Sequence, residues 1–112
     1  MMKFALIAAV AALHFGAGAA YAASADKGKE SFAKKGCWQC HGYEGQGGGA
    51  GPRLANTQLK EDALIAFVRS TSGQMPPFSK KLVSDDELAD IYAYLQARPK
   101  PVDPATIPLL AR

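Results

Sequence analysis

The pentapeptide Cys37-Trp38-Gln39-Cys40-His41 sets the organisation of everything around it. Two thiols three residues apart, with an imidazole directly after the second, form the C-x-x-C-H signature of c-type haem attachment. On one turn of chain the thiols can add to the two vinyl groups along one edge of the macrocycle. His41 then lies beneath the ring, able to bind iron through an imidazole nitrogen. Three other readings compete. A structural zinc site needs about four Cys or His ligands, and downstream of an N-terminal leader the chain holds only three. A thioredoxin-like redox pair accompanies a βαβ pattern, and no alternating strand is legible. A plain disulfide suits an exported chain but gives His41 nothing to do. Haem is the reading that uses all three side chains.

Upstream, Met1 to Lys3 supply a short basic start, and the run Phe4 to Phe15 is apolar but for His14. Ala20-Tyr21-Ala22 fits the Ala-x-Ala pattern that precedes a signal-peptidase cut, and Ala23-Ser24-Ala25 repeats it. A retained membrane anchor is the rival, because no formal charge falls between Phe4 and Ala23. Ala and Gly fill much of that stretch, however, and they transfer into lipid weakly. An ordinary buried helix fits less well still, because the segment has no polar face. Residues 1–22 are therefore expected to be a signal peptide, cut after Ala22 or Ala25, with no stable membrane insertion afterwards. Cleavage after Ala22 removes Met1, Met2 and His14, leaving one His, one Met and two Cys: His41, Met75, Cys37 and Cys40.

The full chain of 112 residues is 48% hydrophobic and 21% charged, which is neither a disordered nor a fibrous composition. Its net charge of +3 is too mild to argue for a nucleic-acid partner. What remains after the leader has room for one small domain, and a domain so small has a marginal core. Two cysteines allow a single bridge at most, so no disulfide scaffold makes up the shortfall. An apolar macrocycle wrapped by short helices does, with the cofactor as the centre of the core.

The helical pattern supports this. Asp26 to Lys35 reads as a first helix, with Phe32 and Ala33 as apolar contacts and Gly36 as its stop. Residues 42–51 contain six glycines, too many for a helix or a strand, and Pro52 follows. A second helix starts near Lys60, where Leu64, Phe67 and Val68 recur at helical spacing, and ends by Gly73. The third has the clearest start: Ser84 stands three residues before Glu87 as a capping box, with Asp85 and Asp86 favoured by the helix dipole. Leu88, Ile91, Tyr92 and Leu95 then form one buried stripe. Four prolines between residues 99 and 108 predict an extended tail over 99–112. The expected class is all-α, about three main helices around one covalently bound haem.

Only His, Met, Lys or an open position is realistic opposite His41, and the one remaining His is already used. Met75 lies in Gly73-Gln74-Met75-Pro76-Pro77-Phe78, a proline-stiffened loop without helical periodicity. That context favours a ligand over a core gap-filler. His/Met ligation raises the reduction potential and saturates the iron, which favours electron transfer over oxygen or peroxide chemistry.

Together, Cys37-Trp38-Gln39-Cys40-His41, Gly51-Pro52-Arg53-Leu54 and Met75-Pro76 strongly resemble the class I c-type cytochromes. The resemblance extends to Gly28 and Phe32 in the first helix and to Ile91, Tyr94 and Leu95 in the last. It spans residues 26–98, within a domain over residues 23–98. It implies a cytochrome c fold in which Gly28 and Phe32 cross Ile91 and Tyr94. It also implies that the Pro52 carbonyl accepts a hydrogen bond from the far ring nitrogen of His41. The four-helix cytochromes c′ carry their attachment motif near the C-terminus and fit poorly.

The expected cofactor is one haem c on two thioethers, bound by Cys37 and Cys40, with His41 and Met75 on the iron and Pro52 and Arg53 beside it. Arg53 either pairs with a haem propionate or is a solvated surface arginine. Trp38 reads as an exposed side chain at a variable position. Lys80 and Lys81 either steer an acidic partner or are ordinary solvated charge. Ile107, Leu109 and Leu110 either fold back on the domain or dock on a partner. The glycine run lacks the Gly-Lys-Ser/Thr ending of a phosphate loop.

The expected function is periplasmic one-electron transfer without enzymatic activity of its own. A dehydrogenase would be the donor, and an oxidase or another cytochrome the acceptor. A cytochrome subunit of a periplasmic dehydrogenase complex is the alternative, and a haem ligand sensor or peroxidase a more distant one.

Overall fold

The computed structural model describes residues 20–110. The expected leader lies outside the described residues, apart from Ala20 to Ala22. Helix α1 spans Ala25–Lys34, α2 Trp38–His41, α3 Glu61–Ser70 and α4 Asp85–Gln96, and a 3₁₀ turn covers Pro104–Thr106. No strand occurs among the described residues. The fold is all-α, as expected.

Helices α1 and α4 begin at side-chain caps, and α3 begins near Lys60 as its spacing predicts, whereas the short α2 is an addition to the expected pattern. Ser24 caps α1 by accepting from the Lys27 N–H at 3.3 Å. Lys60 is the extended residue before α3. At α4 the capping box is complete: Ser84 Oγ accepts from the Glu87 N–H at 3.1 Å, and Glu87 Oε2 accepts from the Ser84 N–H at 2.8 Å. The Ser84 N–H, assisted by Lys35, holds the Glu87 carboxyl below its ordinary range.

Helices α1 and α4 cross at Gly28. A Cβ built on this residue would stand 1.9 Å from the Asp90 carbonyl oxygen and 2.9 Å from the Ile91 nitrogen, so only glycine admits the approach. Beside the crossing, the Phe32 and Tyr94 rings pack with centroids 5.6 Å apart at 51°, a favourable tilted geometry. The core comprises Phe32, Leu64, Val83, Leu88, Ile91, Tyr94 and Leu95.

Two details depart from the periodicity. Ala33, expected as an apolar contact of α1, is exposed, because the crossing uses the Gly28–Phe32 face instead. In α4, Tyr94 is 1% exposed whereas Tyr92 is only half-buried. The Tyr92 hydroxyl reaches the Leu59 carbonyl at 3.0 Å at the rim, and the Tyr94 hydroxyl reaches the Tyr43 carbonyl at 3.0 Å.

Asp90 is buried inside α4. It accepts from the Tyr21 hydroxyl and the Ser24 N–H, each at 2.6 Å. The carboxylate in turn pushes the Tyr21 phenol up to about 12. The C-terminal end of α4 is tied by Asn56, whose backbone N–H donates to the Leu95 carbonyl at 3.0 Å and whose Nδ2 donates to the Arg98 carbonyl at 2.7 Å.

The tail is not uniformly extended. Asp103 accepts from the Ala105 N–H at 2.9 Å and starts the 3₁₀ turn. Residues 100–104 run alongside Arg53 and residues 55–58. Leu109 and Leu110 remain exposed.

Candidate haem site

The attachment motif is the one-turn helix α2. The Cys37 carbonyl accepts from the His41 N–H at 3.1 Å, and the Phe32 carbonyl accepts from the Cys37 N–H at 3.2 Å. This turn follows α1 directly and brings Cys37, Cys40 and His41 together at one wall of a cleft. Both cysteines are free thiols, Cys37 half-buried and Cys40 exposed. Burial pushes the Cys37 thiol up from its ordinary value.

His41 is buried, 7% exposed. Its Nδ1 lies 2.8 Å from the Pro52 carbonyl oxygen. A carbonyl only accepts, so Nδ1 carries the proton and donates, and the lone pair left for coordination is on Nε2. Gly51 permits this placement: a Cβ there would lie 2.9 Å from both His41 Nδ1 and the Cys40 carbonyl oxygen. The glycine-rich connector is in turn pinned to α2, with the Gly47 N–H donating to the His41 carbonyl at 2.8 Å.

The cleft has a volume of about 890 Å³, within the roughly 300–1,000 Å³ range of small-molecule and cofactor sites. Cys37, Cys40, His41, Pro52 and Arg53 line one side, and Met75, Pro76 and Phe78 belong to the same lining. Six of the seven core residues, all but Tyr94, also face it. These six are themselves buried, 1–6% exposed, and a flat apolar group seated in the cleft would cover the half-buried or exposed Leu54, Leu59, Phe67, Val68, Met75 and Phe78 of the same lining. Phe67, expected on a buried helical face, is 58% exposed because its face of α3 lines the cleft. The donor set suits haem: two thiols one turn apart, one imidazole with its outer nitrogen already engaged, and one thioether. Among the described residues no three Cys, His, Asp or Glu side chains group as a metal cluster, which leaves the zinc reading without a fourth ligand.

Arg53 lines the cleft, and its guanidinium is engaged locally, with Nε donating to the Ala55 carbonyl at 3.1 Å and Nη2 to Asn56 Oδ1 at 3.3 Å. Lys80 pairs with Asp85 Oδ2 at 2.7 Å, so part of the charge expected at this edge is already neutralised. Trp38 departs from expectation: it is half-buried and stacks on Tyr43, with centroids 4.5 Å apart at 10°.

The residues least legible in the sequence are those that fix the Met75 loop. Thr71 Oγ1 donates to the Met75 carbonyl at 2.8 Å, and Arg69 Nη1 donates to the Phe78 carbonyl at 2.9 Å. Their partners are backbone atoms, which no motif or periodicity advertises.

The profile of the family described as cytochrome c oxidase, cbb3-type, subunit III matches residues 23–95. Cytochrome c-555 of Methylococcus capsulatus is 33% identical over 105 residues, covering 87% of this chain and 85% of that protein. The menaquinol:cytochrome c reductase cytochrome c subunit of Bacillus subtilis is 40% identical over 50 residues, covering 45% of this chain and 20% of that protein. No solved structure matches the chain. Among the described residues no helix is long and apolar enough to cross a membrane.

Proposed function

The chain belongs to the class I c-type cytochromes, which are haem-containing electron carriers, and we propose that it works in the periplasm as a one-electron carrier with a single covalently attached haem c held by His41 and Met75. One observation carries the reading: Cys37, Cys40, His41 and Met75 line the same apolar cleft. Haem iron, when bound there, supplies a couple between Fe(III) and Fe(II).

The chain's own residues do the rest. Cys37 and Cys40 would anchor the macrocycle through thioethers. The Pro52 carbonyl orients the His41 imidazole and raises the donor strength of Nε2. The Met75 thioether, a soft and weak donor, would be the second side chain to hold the iron and would raise the potential. Held by both His41 and Met75, the iron would offer no place to external ligands, which suits electron transfer rather than an enzymatic reaction. Arg53 would offer its charge to a propionate by giving up its longer bond, that to Asn56. Residues 1–22 would direct export and be removed in its course, a reading supported by the family match beginning at residue 23.

Met75→Ala tests the ligand set. The variant should have a lower reduction potential, and its ferric form should bind added cyanide or imidazole directly. An oxidised spectrum identical to that of the parent protein would remove Met75 from the iron.

A second reading draws on names: the matched family is described as an oxidase subunit, and the Bacillus subtilis relative as a reductase subunit. The chain would then be the cytochrome subunit of a larger redox complex, passing electrons from a dehydrogenase to an oxidase or another cytochrome. Recovery from periplasm at a fixed ratio with a larger subunit supports that assembly, whereas recovery as a free monomer supports the mobile carrier.

A further inference from the structure

The segment carrying Met75 is tied to the end of α3 at three points. The Thr71 hydroxyl holds the Met75 carbonyl at 2.8 Å. Three residues on, the Phe78 N–H donates to the Val68 carbonyl at 3.0 Å, and the Phe78 carbonyl accepts from Arg69 Nη1 at 2.9 Å. Arg69 Nη2 continues to Asp85 Oδ1 at 2.6 Å, so one guanidinium joins α3, the outgoing limb of the loop and the first turn of α4. Its side chain is only 17% exposed, and its Nε is buried without a partner. Here the planar fork is committed to two acceptors on different elements.

We propose that Arg69 and Thr71 are positioning residues that hold Met75 in place as an iron ligand and so set how readily an external ligand displaces it. The inference rests on the His41/Met75 ligation proposed above. A thioether bond to iron is weak, so its persistence depends on the effective concentration at which the loop presents the sulfur. Pro76 and Pro77 restrict the loop locally, but only anchors on both sides of them fix it relative to α3 and α4. Removing an anchor lets the loop sample open conformations, and the affinity of a competing ligand rises in proportion to the open fraction.

The test is an imidazole titration of the ferric, haem-loaded protein, with the reduction potential measured alongside, for Arg69→Ala, Arg69→Lys, Thr71→Val and Met75→Ala. Arg69→Ala should bind imidazole roughly tenfold more tightly than the parent, the scale of losing a charge-assisted hydrogen bond. Its potential should move towards that of Met75→Ala. Arg69→Lys, with one compact ammonium in place of the fork, should fall between. Thr71→Val, which removes one hydroxyl at nearly constant shape, should shift the affinity in the same direction by a smaller factor. Parent-like imidazole affinity and potential in both Arg69→Ala and Thr71→Val, beside a tight-binding Met75→Ala, overturn the proposal even if both variants melt earlier. Should Arg69→Ala fail to fold, Thr71→Val decides alone. Parent-like binding by Met75→Ala overturns the ligation itself, and the positioning role with it.

Discussion

The doubly substituted protein Cys37→Ala, Cys40→Ala, produced without haem, is expected to lack a cooperative thermal transition. The reason lies in the shape of the core. Phe32, Leu64, Val83, Leu88, Ile91 and Leu95 are packed together, and all six face the same cleft. Fully burying such a side chain is worth about 1.5–3 kcal/mol. Leu54, Leu59, Phe67, Val68, Met75 and Phe78 line that cleft as well but are only half-buried or exposed, and leaving them wet forgoes several kcal/mol, comparable with the roughly 5–15 kcal/mol net stability of an ordinary domain. The remaining contacts, chiefly the α1–α4 crossing, are too few to hold a domain of this size. Calorimetry and circular dichroism check the expectation: a sharp two-state melt of the haem-free variant would mean that the helices build a sufficient core by themselves.

Gly28→Ala should destabilise the haem-loaded protein by roughly 1–3 kcal/mol, the usual cost of overpacking. At about 4–8 °C per kcal/mol for a domain of this size, the melting temperature should fall on the order of 10 °C. The direction is informative because helix propensity alone favours alanine over glycine by about 1 kcal/mol. A methyl 1.9 Å from the Asp90 carbonyl oxygen meets main chain, which has no rotamer to escape into. The two helices must separate, loosening the Phe32–Tyr94 contact beside them. A melting temperature that stays level or rises would show that α1 and α4 do not cross at this residue.

The grouping of Cys37, Cys40, His41 and Met75 at one cleft is legible in the sequence because it depends on scarce residue types at fixed spacings. Cys37, Cys40 and His41 need only one turn of chain to come together, and Met75 is marked by its proline-rich loop. The start of α4 was equally legible, since Ser84 and Glu87 act on each other's backbone within three residues. Contacts between distant segments were not. Asp90 looks like one more surface carboxylate in an acidic helix, and its burial depends on Tyr21 and Ser24, more than sixty residues away. Asn56 at the end of α4, and Arg69 and Thr71 at the Met75 loop, act on main-chain atoms that leave no trace in composition. Ala33 misled for a related reason: which face of α1 turns inward is decided by the close approach at Gly28, to which a hydrophobic count is blind.

Under the export proposed above, the pair of bonds at Asp90 would give the folded domain a stake in where the leader is cut. A cut after Ala22 strips away Tyr21 but keeps Ser24, so α1 retains its cap and the buried carboxylate retains one donor. That cut also creates a new α-ammonium on Ala23, a single residue from the Ser24 N–H that already reaches Asp90, and a cation there would suit the oxygen that Tyr21 vacates. A cut after Ala25 removes both donors and the cap together, leaving the Asp90 carboxylate with neither of its native partners. Two adjacent Ala-x-Ala patterns that look interchangeable in sequence would thus be far from equivalent to a protein cut at one or the other.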